Sequence, residues 1–312
     1  MKFYDKIIGK IRRHVILPLL DVSENEYFVQ KEIDKRAKLQ IFDYETLSKD
    51  LEICMNYKYF NHFYGHDKVV KKALGLSELP SNMVIEHGIY FGDFFTEINQ
   101  VKEPQIITMG SQREEYLKEK GYAVTAIGPY IKYVDFYRPM SYLKRIKRKY
   151  GKILLVFPTH SVETDSVDYN INQFIDEIKK HAIDFDSVFV CMYWKDVQEG
   201  KHLQYLREGF TIVTAGNRWD PNFLSRLKDV LWLSDMTMSN DLGTFIGYAL
   251  YMGKAYYYFD QDKLFYDEKG AVQRQDDDKI KRNKILFSRC FGNYSVEITE
   301  EQRNLVRRYW GD

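Results

Sequence analysis

The feature that most constrains the fold is a long alternation of short apolar runs with amphipathic helical segments, which extends from about residue 83 to residue 262. The apolar runs are NMVIEHG, PQIITMGS, YAVTAIGP, GKILLVFPTHS, SVFVCMYW, FTIVTAG, MTMSN and KAYYYFDQD. Helical segments such as REEYLKEKGY and KHLQYLREG lie between them and close with a glycine or just before one. Apolar strands that alternate with helices are typical of a parallel sheet covered on both faces. The sequence therefore predicts an α/β fold.

The alternation is interrupted after Gly128 and Pro129 by a basic segment, SYLKRIKRKYGK, and then begins again. A chain of 312 residues also exceeds the size at which one hydrophobic core usually keeps growing. We therefore predict two Rossmann-like doubly wound domains that face a cleft. The first spans residues 1–135 and includes a helical N-terminal extension, the second spans 148–295, and a final helix occupies 296–312. In open α/β sheets ligands bind at the carboxyl ends of the strands, so the residues that follow each strand are the candidates for a site.

The bulk composition narrows the classes of partner. The net charge of +1 at pH 7 gives no overall field that would attract nucleic acid. The three cysteines, Cys54, Cys191 and Cys290, lie far apart and form no metal-ligand spacing, which favours a reducing compartment with neither a disulfide framework nor a zinc site. No apolar run approaches the ~20 residues that cross a bilayer, and no signal peptide is evident. We expect a cytoplasmic protein.

The first twenty residues, MKFYDKIIGKIRRHVILPLL, repeat apolar side chains every four positions beside a basic face that consists of Lys2, Lys6, Lys10 and Arg13. A basic amphipathic helix of this kind can lie in an anionic membrane interface. It can equally dock on the core with its basic face in water. The same two interpretations apply to the basic segment Ser141–Lys152, where each basic residue near an anionic surface contributes about 1 kcal/mol. A peripheral position on the inner face of the membrane is thus an open alternative.

The segment SDMTMSNDLGTFIGYALYMGK, residues 234–254, changes from a strand to a helix through a turn of small polar residues. If the helix starts near Gly243, its free N–H groups and positive dipole end would face the cleft, where a diphosphate fits. Ser239, Asn240 and Thr244 would add polar contacts, and Gly243 would let the ligand approach the backbone. The alternative is that Ser239, Asn240 or Asp241 simply caps the helix. We favour the phosphate site.

This segment resembles the donor site of GT-B fold glycosyltransferases, in which a strand with an aspartate leads through a Ser/Thr/Gly turn into a helix of the Ala-Leu-x-x-Gly-Lys type. The resemblance extends to IEHG, ITMGSQREEYLKEKGY, IGPYI and KILLVFPTHS, and covers roughly residues 83–258 in the same order. It is nearest to bacterial capsule, lipopolysaccharide and teichoic-acid transferases, including polyol-phosphate transferases with a His-Gly motif. The resemblance implies a GT-B-like arrangement, a nucleotide-activated donor and no resident metal or cofactor.

His87 ends the predicted strand of IEHG and precedes Gly88. An imidazole at this point can accept a proton from an acceptor hydroxyl, since its usual pKa of ~6.5 suits work near neutral pH. The His-Gly resemblance implies the same general-base role. Glu86, beside it, is a candidate to orient the ring. The alternative is that His87 is an ordinary hydrogen-bonded loop histidine.

Two other strand ends carry candidate donor-binding residues. Thr159, His160 and Ser161 follow the strand KILLVFP, and we expect His160 to donate a hydrogen bond to a donor phosphate with its neighbours assisting. The alternative places Ser161 as a helix cap and His160 in solvent. Arg218 follows FTIVTAG and is suited to bidentate phosphate binding, although it can also pair with Asp220.

The predicted function is transfer of a sugar from a nucleotide-activated donor to a surface-polysaccharide or lipid-linked glycan acceptor. A polyol-phosphate transferase and a non-catalytic nucleotide-sugar-binding or membrane-docking module remain alternatives, as does an epimerase on the same scaffold. The string FDQD, with Asp260 and Asp262, resembles the metal-binding triplet of GT-A transferases, but it comes after both α/β units. We therefore interpret it as a solvated turn.

Overall fold

In the computed structural model, the described residues are 22–51, 61–91, 98–161, 166–267, 269–272 and 278–312. The basic N-terminal segment with Lys2, Lys6, Lys10 and Arg13 lies outside these residues, as does Cys54. Over the described part of the chain, no helix combines the length and apolar character needed to cross a membrane.

The first sheet has three parallel strands in the order β1-β2-β3. They are β1 (Met83–Ile85), β2 (Gln105–Thr108) and β3 (Ala123–Ala126). In this register Ile85 pairs with Ile107 of β2, which pairs in turn with Thr125 of β3. These strands coincide with the first three apolar runs, so the prediction of parallel strands is confirmed here.

The second sheet has five parallel strands in the order β7-β6-β4-β8-β9. They are β4 (Ile153–Phe157), β6 (Ser187–Cys191), β7 (Thr211–Val213), β8 (Met236–Ser239) and β9 (Ala255–Tyr258). The strand order reverses beside β4, because successive strands are added first on one side of it and then on the other. A separate antiparallel pair consists of β5 (Ser166–Tyr169) and β10 (Lys263–Tyr266), which the sequence did not predict as strands.

Twelve α-helices occur among the described residues. They are α1 (Val22–Arg36), α2 (Tyr44–Leu47), α3 (His66–Leu74), α4 (Ser111–Glu119), α5 (Met140–Tyr150), α6 (Ile171–Ala182), α7 (Trp194–Gln198), α8 (His202–Arg207), α9 (Phe223–Leu233), α10 (Phe245–Tyr251), α11 (Asp278–Phe291) and α12 (Glu300–Trp310). The basic segment forms α5, which buries Leu143 and Ile146 while Lys144, Arg145 and Arg148 are exposed. The charges in this segment therefore occupy the outer face of an amphipathic helix.

Alternate side chains of β4 belong to two different hydrophobic clusters. Ile153, Leu155 and Phe157 pack in one cluster with side chains of α9 and α10, and Leu154 and Val156 pack in the other with side chains of α6. Because successive side chains of a strand point to opposite faces, both faces of the second sheet are covered. The first of these clusters also includes Ile85 and Ile107, so one continuous core joins the two sheets.

The last helix, α12, contacts elements of both sheets. Its Thr299 accepts a hydrogen bond from the backbone of Gln302, whose side chain in turn accepts one from the Thr299 N–H, which forms a capping box. At its other end Trp310 is fully buried against Gly247 of α10 and donates to the carbonyl of Thr244 at 3.0 Å. A Cβ atom at Gly110, which precedes α4, would overlap the backbone of Tyr309. These contacts fix the last helix to both α4 and α10.

Candidate functional site

A cavity of about 280 Å³ lies at the carboxyl ends of β4 and β8. Segments from both sheets line it, namely residues 87–89 after β1, 157–160 at the end of β4, 191–193 at the end of β6 and 241–245 between β8 and α10. β4 and β8 are the neighbouring strands beside which the strand order reverses. A crevice at such a reversal is where open α/β sheets bind their ligands. The cavity is therefore the candidate site.

The structure brings His87 into this cavity. Its Nδ1 lies 3.3 Å from the Tyr90 hydroxyl, and its ring centroid is 5.5 Å from that of Phe63 in an edge-on contact. Burial lowers the pKa of His87 to about 4, and the positive charge of Arg218 contributes in the same direction. At neutral pH the imidazole is consequently uncharged and able to accept a proton.

Glu86, next to His87 in sequence, has different surroundings. Its carboxylate accepts hydrogen bonds from Arg113 at 2.6 and 2.9 Å and from the Thr108 hydroxyl at 2.8 Å, and all three residues are buried. Glu86 does not belong to the cavity lining. One carboxylate oxygen therefore pairs with Arg113 and the other accepts from Thr108, which indicates a structural role for Glu86 inside the first sheet. The role of orienting His87 stays a prediction.

Polar side chains join the ends of β4 and β8, and these side chains form hydrogen bonds with other groups of the protein. The Asn240 side chain accepts from the Thr159 N–H at 2.7 Å and donates to Gln261 at 3.0 Å, with no exposed surface. The Thr159 hydroxyl donates to the Asp241 carboxylate at 2.7 Å. Lys263 donates to the Asn240 carbonyl and lies 3.4 Å from the same carboxylate. Asn240 and Thr159 thus hold two strand ends together, where phosphate contacts were expected of them.

Ser239 and Ser161 are engaged in the same way. The Ser239 hydroxyl is 2.6 Å from the Tyr256 hydroxyl and 2.5 Å from the Asp241 carbonyl. The Ser161 hydroxyl accepts from Lys201 at 2.6 Å, and Lys201 pairs with buried Asp196 at 3.0 Å. Neighbouring Asp196 raises the pKa of Lys201 against the effect of burial, so this lysine stays charged and does not activate the serine as a base.

Gly243 and Thr244 lie in the cavity wall, and their predicted contacts with a donor stay a prediction. A Cβ atom at Gly243 would meet the Phe245 ring, which stacks on Phe157 with centroids 4.6 Å apart. The Thr244 hydroxyl accepts a hydrogen bond from the Ile89 N–H at 3.0 Å and so links the two sheets. α10 begins at Phe245, and Thr244 makes no side-chain cap bond. Helix capping by Ser239, Asn240 or Asp241 is therefore wrong.

His160 and Arg218 differ in their relation to the cavity. The His160 ring is exposed, stacks on Tyr193 at 4.2 Å, and has its Nδ1 3.2 Å from the Ser161 carbonyl. The Arg218 guanidinium lies 4.5 Å from the Phe63 ring centroid and does not line the cavity, although its charge lowers the pKa of His87. Its expected alternative partner, Asp220, instead forms a buried ion pair with Arg226 at 2.9 Å.

Two residues that the sequence did not single out also line the cavity. His66 begins α3 and Tyr248 lies within α10, and each is 2% exposed. Within the described ranges, neither the His66 Nδ1 nor the Tyr248 hydroxyl has a hydrogen-bond partner. His66 follows a polar-aromatic stretch and Tyr248 lies in an apolar helix, so neither carries a motif that would have identified it. Buried polar atoms without partners are rare in folded proteins, so these two atoms require an explanation.

The acidic residues of the rival metal interpretation line another groove. Asp260 and Asp262 lie there with Asp168, beside the antiparallel pair β5–β10. Asp260 accepts hydrogen bonds from Tyr258 at 3.0 Å and Ser288 at 2.9 Å. Across the residues that the structure describes, no cluster of three or more His, Cys, Asp or Glu side chains has an arrangement suited to a metal ion.

Comparison with known proteins adds no family assignment. The chain matches no protein-family model, and no curated protein sequence is significantly similar to it.

Proposed function

We propose that this chain is a glycosyltransferase that moves a sugar from a nucleotide-activated donor to a hydroxyl group of a glycan or lipid-linked acceptor. One observation carries the proposal: His87, from the first sheet, shares a cavity with the strand ends of the second sheet at the point where the strand order reverses. In this proposal the two sheets are the centres of two Rossmann-like, GT-B-like units. The first binds the acceptor, and the second binds the donor.

In the proposed reaction His87 accepts the proton of the acceptor hydroxyl as its oxygen attacks the anomeric carbon of the donor. The bond between that carbon and the donor phosphate oxygen breaks, and the nucleotide leaves with the electron pair. The low pKa of His87 keeps the imidazole uncharged before the step. A general base typically contributes a factor of about 100 to 10,000 to the rate when its pKa lies near the operating pH, so this role requires that the bound, negatively charged donor raises the pKa of His87 from about 4.

The donor-binding part of the proposal rests on fewer groups than the sequence predicted. Ser239, Asn240 and Ser161 support the loops, which leaves the exposed His160 ring and the backbone of residues 241–244 to contact the donor. Arg218 packs against the Phe63 ring and supplies positive charge near the cavity, since this charge adds to the effect of burial in lowering the pKa of His87. This charge would stabilise a departing diphosphate.

The size of the cavity limits what it encloses. At about 280 Å³ it is slightly smaller than most ligand pockets, which span about 300–1,000 Å³. We therefore infer that the cavity encloses the sugar and the acceptor hydroxyl, and that the nucleotide extends out of it past the His160 and Tyr193 rings, which belong to its lining. These rings stack at 4.2 Å and offer a face to a base.

The test is calorimetric binding of CMP, CDP, UDP, GDP and ADP, with and without Mg²⁺, followed by turnover of the matching nucleotide sugar. We expect one nucleotide to bind, and His87→Gln to lower turnover by about 100-fold or more while nucleotide affinity stays within a few-fold. The matched control is His181→Gln, because His181 contacts Glu177 outside the cavity. Absence of binding to all five nucleotides would reject the donor class, and normal turnover of His87→Gln would reject the base. Transfer from a CDP-polyol with no sugar transfer would indicate the polyol-phosphate reaction.

A further inference from the structure

Two residues that line the cavity, His66 of α3 and Tyr248 of α10, each carry a buried polar atom without a partner among the described residues, namely the His66 Nδ1 and the Tyr248 hydroxyl oxygen. We propose that these two atoms form a binding subsite for a neutral, hydroxyl-bearing group, namely a sugar ring or a polyol. We call it the His66–Tyr248 subsite. The proposal deepens the proposed function, on which it rests for the source of the bound sugar, by naming the class of group and the residues that hold it.

Burial is the first argument for this subsite. Both side chains are 2% exposed, so bulk water does not satisfy their polar atoms. A buried donor or acceptor without a partner loses its hydration and gains nothing in return. The two residues come from helices associated with different sheets, since α3 contacts β1 and α10 contacts β9. The His66 ring lies 4.7 Å from the ring of Tyr130, whose pKa is raised by burial, then by Glu86 and by Tyr248. The subsite is therefore assembled from both parts of the molecule.

Charge is the second argument, because it selects among ligands. Burial lowers the pKa of His66 to about 3, with a smaller contribution from His87, and burial also raises the pKa of Tyr248. Both groups are thus uncharged at neutral pH. A phosphate placed against them would be desolvated without gaining a charge partner from either group, whereas a hydroxyl group both donates and accepts and satisfies either tautomer of the imidazole.

The apolar wall is the third argument. The stacked rings of Phe157 and Phe245 line the same cavity, together with Leu224 and Leu227. Pockets that combine apolar walls with a few polar atoms bind ligands that have both kinds of surface. A sugar ring has C–H faces for the wall and hydroxyl groups for the two polar atoms. Its chemistry matches the subsite on both counts.

The test uses the full chain and ligand-observed NMR saturation transfer with two groups of probes. The neutral probes are glucose, galactose, N-acetylglucosamine, glycerol and ribitol, and the anionic probes are inorganic phosphate and pyrophosphate. We expect at least one neutral probe to bind and the anions not to displace it. Tyr248→Phe, which removes only the hydroxyl, and His66→Phe should each raise the dissociation constant about threefold to tenfold. Tyr248→Phe should leave the melting temperature unchanged or raise it, because the lost hydroxyl has no partner among the described residues.

The matched control is Tyr205→Phe. Tyr205 is fully buried, but its hydroxyl lies 2.8 Å from that of Tyr169, away from the cavity. This variant should lower the melting temperature and leave probe binding unchanged. The subsite assignment is wrong if no neutral probe binds, if binding survives Tyr248→Phe, or if phosphate displaces the sugar. These outcomes are separate from those of the nucleotide experiment, because sugar binding that depends on Tyr248 can occur without transfer, and transfer can occur without dependence on Tyr248.

Discussion

Two groups of buried polar side chains lie near the cavity, and they differ in whether their polar atoms have hydrogen-bond partners within the described protein. Asn240 and Thr159, at the ends of β8 and β4, are buried and bound to each other and to neighbouring protein groups. His66 and Tyr248, on the helices beside them, are buried with a polar atom for which the described residues offer no partner. A polar residue at a strand end is therefore a good candidate for a ligand contact only when its polar atoms do not already form hydrogen bonds with other protein groups.

The adjacent residues Glu86 and His87 show the same difference between a side chain bound within the protein and one that lines the cavity. Glu86 is buried in an ion pair with Arg113, and His87 lines the cavity with an uncharged imidazole. Because adjacent side chains of an extended segment face opposite sides, one of them serves the core of the first sheet and the other serves the cavity. Substitutions at the two positions should therefore separate stability from activity.

The largest effect on stability is expected for Glu86→Gln. It removes the carboxylate charge that pairs with the buried guanidinium of Arg113 at 2.6 Å, so we expect the free energy of unfolding to fall by about 3–5 kcal/mol. Urea denaturation measures this change. Glu119→Gln, an exposed position on the same helix as Arg113, is the control and should change stability by less than about 0.5 kcal/mol. A folded, stable Glu86→Gln protein with low turnover would support the role in orienting His87.

A smaller loss is expected for Asn240→Ala. The substitution removes the acceptor of the Thr159 N–H and the donor to Gln261 Oε1 in a buried region, and we expect a cost of about 2–4 kcal/mol in the free energy of unfolding. The comparison uses Asn304→Ala, whose side chain is exposed and accepts only from Arg307 among the described contacts. If Asn240→Ala abolished nucleotide binding without a loss of stability, Asn240 would be a ligand contact after all.

These contrasts mark the limit of prediction from sequence. The strands were predictable, because the runs around Ile107, Leu155 and Met238 are apolar and closed by turn residues, and the last helix was predictable from its cap at Thr299. The hydrogen-bond partners were not predictable, since Glu86 binds Arg113, 27 positions away in the sequence, and Asn240 binds Thr159, 81 positions away. Local patterns identify which residues end a strand. These local patterns carry no information on which distant side chain forms a hydrogen bond with a residue at a strand end.

The smallest effect is a pH dependence of stability that comes from His66. Its pKa falls from 6.5 to about 3 on folding, so between these values the unfolded chain binds one more proton and stability decreases as the pH falls. The slope is about 1.4 kcal/mol per pH unit, or roughly 1–2 kcal/mol between pH 6.5 and 5. His66→Gln should remove this part of the slope, as measured by urea denaturation across the same range.

Two other groups, His87 and Asp229, also contribute to the pH dependence of stability and provide the controls for this experiment. His87→Gln should remove a similar part, because burial lowers its pKa to about 4. Asp229 contributes with the opposite sign, since burial raises its pKa to about 7, and its contribution cancels when each variant is compared with the wild type. Equal slopes for wild type and His66→Gln would mean that His66 is not held uncharged in the folded protein, and would weaken the comparison with Asn240.

The attachment of α12 has a consequence for the order in which the chain acquires its structure during synthesis. Trp310 fills the space beside Gly247, and Tyr309 packs on Gly110, so the last turn of this helix completes the packing of segments made about 60 and 200 residues earlier. At a synthesis rate of about 5–20 residues per second, the contact of Tyr309 with Gly110 forms on the order of ten seconds or longer after Gly110 has been synthesised. During that time the surface that Tyr309 later covers is open to chaperones, and a ribosome stalled before residue 300 would leave both sheets incompletely packed.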